Sequence, residues 1–378
     1  MSINIPNKEQ WAKLNEHLNN IAGVLGTQVD VSTWEGVQKA VRAGLAPELF
    51  PIGTQLVVNH SVYGEMLFDV VAHDYLKPHH NSNAHTMTLL SHNLLPAIQY
   101  DAEEAVYYAE SELPAGTYNF VITRSEYPNW SVGTYYFTLT QVVPKGGQLV
   151  ISNVGKGAVE SKMVSYANAY STTPIESVLI RSGSNGTCLG TITSDLNTMR
   201  RMRYGSSNYK ESAIRQFLNS KAEAGSVWTP QTKFDRPPDW VATRAGFMNG
   251  LDSDFLAVVG EVNLPCYADE YYQAPDSTTL TGEKYTVKDK FYLPSLKEIT
   301  GKENNPTTPL DDSILFPYYE NAGDIDRIKY ENGVARRWIT RNEINCEAVK
   351  CINTSGETSL CYVNDSDSDG MALACTIV

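Results

Sequence analysis

The chain has 378 residues, a formal net charge of −13 and 42% hydrophobic side chains. That length accommodates two or three modest domains, or one domain carrying a large insertion, and that apolar content supports a packed core. The charge disfavours nucleic acid and anionic membrane surfaces as partners, since both select basic faces, and no apolar run is long enough to span a bilayer.

The N-terminal "MSINIPNKEQWAKL" lacks a basic stretch followed by an apolar run, so it does not read as a secretory leader. Residues 7–25 then place Trp11, Leu14, Leu18, Ala22 and Leu25 on one side at helical spacing. Such a stripe needs cover, either from its own domain or from another copy of the chain. A second helix is predicted in "STWEGVQKAVRAGLAPELF", capped by Ser32 or Thr33, with Trp34, Val37 and Val41 inward and an end at Gly44–Pro47.

From Phe50 the texture becomes strand-like. "TQLVVNHS" and "EMLFDVVAHDYL", split by "VYG", predict a hairpin, and "HTMTLLSHNLL" predicts a buried strand. Histidines 73, 79, 80, 85 and 92 crowd this region without helical i, i+4 spacing, and read as structural or exposed. All seven histidines precede residue 93 while the cysteines, at 188, 266, 346, 351, 361 and 375, all follow residue 187, so neither a zinc site nor another metal or cofactor is expected. No C-x-x-C pair occurs, and reduced thiols made in a cytoplasm are the expectation.

Residues 101–194 alternate strand runs ("AVYYAES", "GTYNFVITRS", "GTYYFTLTQVV", "GQLVISNV") with turn chemistry, and predict a β-sandwich-like unit inserted into the rest. The short basic cluster Arg200, Arg201 and Arg203 reads as local. "YGSSNYKESAIRQFLNSKAEAG" predicts the clearest helix, capped by Ser207 or Asn208 and closed by Gly225. Its Ile214, Phe217 and Leu218 belong to a core face and Arg215 bridges two elements. "DKFYLPSLKEITG" gives a strand and a helical turn capped by Ser295. "RRWITR", "EAVKCINTSG", "TSLCYVND" and "MALACTIV" alternate strands with Asn, Asp, Ser and Gly turns, and Trp338 is an inward strand position. Arg341 is either a salt bridge at the core edge or a contact residue.

No serine or cysteine sits in a G-x-S-x-G elbow, and there is no G-x-x-x-x-G-K, G-x-G-x-x-G or H-E-x-x-H. An enzyme is therefore not expected. In "VNDSDSDG", Asp365, Asp367, Asp369 and Gly370 fit the opening of an EF-hand loop, but the closing glutamate position is Thr376. The acidic run reads as a loop ahead of a core strand.

The ordered series "YGSSNYKESAIRQFLNS" (204–220), "DKFYLPSLKEI" (289–299), "RRWITR" (336–341), "VKCINTSG" (349–356) and "GMALACTIV" (370–378) resembles a family of phage and prophage proteins from gut bacteria, similar to the variable proteins of diversity-generating retroelements. The resemblance implies an α+β, C-type-lectin-like domain split over 49–100 and 195–378, with an N-terminal helical assembly segment (1–48) and the inserted β unit (101–194). It implies a hypervariable ligand surface in about the last 40 residues. The positions are Asn342, Ile344, Asn345, Glu347, Asn353, Ser359, Tyr362, Asn364, Asp365, Ser366, Asp367 and Ser368, many of them residue types that adenine-directed mutagenesis of asparagine codons produces. Short polar side chains and a tyrosine suit adaptable recognition. The calcium-dependent sugar tripeptides of C-type lectins are absent.

The resulting expectation is a tail-fibre or tail-associated adhesin of a virion, synthesised in the bacterial cytoplasm. Its partners would be a host cell-surface protein or glycan, other tail proteins and copies of itself, as a homo-oligomer such as a trimer. A structural tail protein without its own receptor, and a glycan-processing enzyme, remain as alternatives.

Overall fold

The computed structural model describes residues 30–78, 81–102, 206–229, 237–268, 283–302, 312–345, 348–363 and 369–378, with shorter pieces between 107 and 188. The amphipathic stretch 7–25 and the arginines at 200–203 lie outside the described residues.

Thr33 caps α1 (Trp34–Arg42) by accepting from the Gly36 N–H, and α2 (Ala46–Leu49) follows directly. Val37, Ala40 and Val41 are buried, and Trp34 lies 4.7 Å from the ring of Phe255. Residues 34–48, grouped on sequence with an N-terminal assembly segment, therefore pack into the main core.

Strands β1 (Gln55–His60), β2 (Gly64–His73) and β3 (Met87–Ser91) form an antiparallel meander. Then come β4 (Tyr107–Tyr108), β5 (Gly116–Ile122), β6 (Gly133–Leu139), β7 (Gln148–Leu149), β8 (Leu179–Ser182) and β9 (Asn185–Cys188). These pair among themselves, as β4–β7 and as a sheet in the order β6-β5-β8-β9.

The helix predicted near residue 207 starts later. Asn208 caps only a 3-10 turn, Tyr209–Glu211, and Ser212 caps α3 (Ala213–Leu218), which ends at Asn219 rather than at Gly225. Next come α4 (Ser253–Val258), β10 (Val262–Ala268) paired with β11 (Glu283–Asp289), β12 (Phe291–Tyr292), and α5 (Leu296–Thr300) with a full capping box between Ser295 and Glu298. The chain continues through β13 (Lys329–Glu331), β14 (Val334–Asn345), β15 (Ala348–Ile352), β16 (Thr358–Tyr362), β17 (Asp369–Met371) and β18 (Ala374–Ile377).

Two sheets organise the molecule. The first runs β1-β2-β3-β18-β12 and is antiparallel throughout. The second runs β13-β14-β15-β16, with β17 lying parallel to β14. The segment "MALACTIV" is thus two strands, one in each sheet, joined at the buried Ala372–Leu373. One apolar cluster extends from Val31 to Ile377 and includes Phe68, Phe217, Phe255, Phe291 and Trp338. Strands before residue 92 and after residue 290 therefore share a core, and the architecture is α+β.

Candidate ligand-binding face

The base of the C-terminal face is a buried ion pair. Arg341, 3% exposed on β14, bonds both oxygens of the fully buried Glu298 on α5, each at 2.7 Å. Its remaining donors reach the Leu293 and Pro265 carbonyls and Ser313 Oγ. Glu298 in turn accepts from the Ser295 N–H at 2.7 Å and the Tyr75 hydroxyl at 2.8 Å. Burial, with Glu298 adjacent, holds the Tyr75 phenol protonated. A buried pair with every polar atom engaged is a fixed point, because moving either partner strands a charge in low dielectric. Arg341 is thus a structural bridge rather than a contact residue.

Trp338 is buried on the same strand, donating Nε1–H to the Arg327 carbonyl. Ile214, Phe217 and Leu218 are fully buried on α3, and Arg215 grips Asp289 of β11 through Nε and Nη2 at 2.9 and 2.7 Å.

The hairpin β15–β16 stands on this base. Its turn follows from "NTSGE": the Asn353 carbonyl accepts from the Gly356 N–H, and the Asn353 side chain accepts from the Ser355 and Glu357 N–H groups. Gly356 sits at φ +83°, and a Cβ there would fall on the Asp324 carbonyl oxygen, so only glycine lets the turn dock. Cys351 and Cys361 are joined as a disulfide across the two strands. This corrects the expectation of reduced thiols throughout. The two cysteines lie close across the hairpin, on directly neighbouring strands, and both side chains are buried. Cys266 and Cys375 are free and buried, and burial raises the Cys266 thiol to about 12, which leaves it unreactive.

Among the described residues, strand β16 has one paired neighbour, β15. Along it Cys361 points inward while Thr358, Leu360 and Tyr362 are exposed, Leu360 by 44% and Tyr362 by 50%. Lys350 lies directly opposite Leu360, half-buried, with its ammonium pKa pulled down by burial. Beyond Tyr362 the chain is anchored at Val363, buried, whose carbonyl accepts from the Asp101 N–H at 3.0 Å. It is anchored again at Asp369, where Arg337 Nε comes within 2.8 Å of the carboxylate. Residues 364–368 connect these two posts. Asp369 is a buried end-post rather than an open cation ligand.

The predicted surface residues divide accordingly. Tyr362 is exposed, Ser359 half-buried, and Asn353 shapes the turn. Asn342 does not face outward. It is 2% exposed, accepts from the Leu296 N–H and donates to the Tyr267 hydroxyl, so it brackets β14 to α5. Its assignment to the ligand surface is corrected on that ground. Ile344 and Asn345 end β14. Glu347, Asn364, Asp365, Ser366, Asp367 and Ser368 lie outside the described residues. Leu360 was missed, although the alternation in "TSLCY" places it beside Tyr362 and opposite Cys361 in facing.

Among the described residues the histidines do not converge, and His79 and His80 lie outside them. His92 meets Asp69 at 2.9 Å, His85 meets Asp74 at 3.0 Å, and His73 Nε2 meets the Phe50 carbonyl at 3.0 Å. Among the described residues no group of three or more His, Cys, Asp or Glu side chains is placed to hold a metal ion, and no helix is long and apolar enough to cross a membrane.

Fold and face together define an α+β protein that carries an exposed edge strand on a tightly bonded base. Residues 185–377 match the domain of unknown function DUF6273, and the chain belongs to that family. The match leaves out β1–β3, three strands of the sheet that β18 joins. No curated protein and no solved structure matches the chain.

Proposed function

We propose that this protein is a ligand-binding display protein, a phage tail-associated adhesin whose C-type-lectin-like domain presents β16 and the following acidic loop to a host surface. The observation that carries the reading is the exposed pair Leu360 and Tyr362 on an edge strand, backed by the Cys351–Cys361 bond and the buried Arg341–Glu298 pair. Rigid bases that support variable loops are the usual arrangement for recognition, because side chains on the display can change without disturbing the core. In this reading the protein is not an enzyme, and it works as a homo-oligomer on the tail.

The test is binding of the purified full chain to intact bacterial cells and to extracted surface glycans and proteins. Leu360→Ser, Tyr362→Ala and a Gly-Ser replacement of 364–368 should each lower binding at least about tenfold while melting temperature stays put, as expected for exposed anchor residues. Binding that survives all three changes would sink the proposal. A monomeric mass by light scattering would remove the oligomer from it.

A further inference from the structure

At the opposite edge of the second sheet from β16 lies a groove of about 620 Å³. Three pinned elements wall it. The first is the β1–β2 turn, where the Val62 and Tyr63 N–H groups both donate to His60 Nδ1. That fixes the other nitrogen, Nε2, as the donor to the Phe247 carbonyl, and the Tyr63 ring packs at a tilt against His60, the ring centres 4.6 Å apart. The second is the segment 91–96, held by Lys329 Nζ on the Ser91 and His92 carbonyls and by paired backbone bonds between Leu95 and Met371. The third is the β13–β14 turn, with Asn332 at φ +49° and Gly333 at φ +80°, the tight geometry of a two-residue hairpin. The Leu94 N–H donates to the Tyr330 carbonyl and ties the second wall to the third.

The groove's chemistry is mixed in a specific way. Leu67, Leu94 and Leu95 make an apolar floor, whereas Tyr330 (45% exposed), Glu65, Glu331, Asn93 and Asn332 line the upper walls. Pockets for apolar small molecules carry few polar groups, whereas here Glu65, Ser91, Asn93, Glu331 and Asn332 share the lining with its apolar side chains. Carboxylates accept hydroxyl protons, and side-chain amides both donate and accept. A tyrosine face offers area to C–H groups. Arg336 approaches Glu331 to 3.7 Å and offsets it, leaving Glu65 as the outstanding charge. In a chain of net charge −13 this repels anionic ligands, and one carboxylate is a poor match for a polybasic one.

We propose that this groove binds a neutral oligosaccharide without a metal ion, with the Tyr330 ring against a sugar face and Glu65, Asn93 and Asn332 bonding its hydroxyls. The site is separate from the β16 face and stands or falls independently of it.

The test uses the full chain on an array of neutral, amino and acidic oligosaccharides in EDTA, with an oligolysine peptide as a further probe, followed by calorimetric titration of the best-bound sugar. The expected result is retention of neutral oligosaccharides, weakened about tenfold by Tyr330→Ala and by Glu65→Gln, in line with loss of a stacking ring or a charge-assisted hydrogen bond. Tyr362→Ala should leave this binding unchanged. Both groove substitutions are at exposed positions, and unchanged melting temperatures verify that they fold. Three results overturn the proposal: no neutral sugar bound at millimolar concentration, sugar binding lost with Tyr362→Ala but kept with Tyr330→Ala, or retention of oligolysine alone with dependence on Glu65.

Discussion

Strands β16 and β18 are both short and lie within 20 residues of each other, yet they occupy opposite kinds of place. In β18, "ACTI" is buried at every position and paired on both sides, to β3 and to β12. In β16, "TSLCY" is paired on one side and only its Cys361 is fully buried. The difference shows how a chain keeps a strict scaffold next to a permissive surface. Small and apolar residues are required where neighbours press from all sides, and polar or large ones are tolerated where they do not.

The strongest challenge to that contrast is the ion pair beneath the hairpin. Arg341→Met leaves Glu298 buried without its cation, which should cost about 3–5 kcal/mol. Urea unfolding measures it, and the double variant Arg341→Met with Glu298→Leu should recover part of the loss. A cost below about 1 kcal/mol would mean that the base is not the fixed point described. Next in size is Gly356→Ala, which forces a side chain into a left-handed conformation and against the Asp324 backbone. A loss of about 2 kcal/mol or more is expected from strain and displacement together, read as a fall in the denaturant midpoint.

Lys329 probes the boundary between the sheets. It is buried, lies 6.0 Å over the Trp338 ring, and burial pulls its ammonium down to about 8. The folded protein therefore releases this proton at a lower pH than the unfolded chain, whose lysine titrates near the ordinary value of about 10.4. Between the two values the unfolded state holds more protons, so stability should rise with pH. Wild type should gain on Lys329→Met from pH 8 to 10, by no more than about 1.4 kcal/mol per pH unit. A flat difference would mean that the folded lysine keeps its proton as firmly as the unfolded one, and that burial does not lower it. The smallest effect belongs to β16: Leu360→Thr should change stability by no more than about 0.5 kcal/mol, as at other exposed sites. A larger loss would show that β16 is packed rather than displayed.

Much of the local structure was legible because it depends on neighbours in sequence. The β1–β2 hairpin, the Thr33 cap and the Ser295 cap all follow from short-range chemistry. The helix at 213–218 was placed too early because Ser207, Asn208 and Ser212 offer the same capping oxygen. Ser207 is instead spent on Glu343 of β14, 136 positions away. Asn342 misled for a related reason: asparagine marks turns, but here tertiary packing on Tyr267 decides its place. The Cys351–Cys361 bond had a signal, since "CINTSGETSLC" sets two cysteines either side of a turn. The Arg341–Glu298 pair and the β3–β18 register had none, because periodicity reports which face a residue takes and not which strand it meets.

The place of β18 bears on how the protein is made. Thr88 of β3 and Thr376 of β18 face each other across 288 positions of sequence. During synthesis the meander β1–β3 must wait, with one edge unpaired, until residues 374–377 leave the ribosome. Contacts so distant in sequence form late and slowly. A product truncated by a frameshift or stop codon anywhere in 342–369 would also lack β18, so it would expose the open edge of β3 and leave β12 without its partner. Such chains would be removed as unfolded, and only molecules read through residues 374–377 would complete the first sheet.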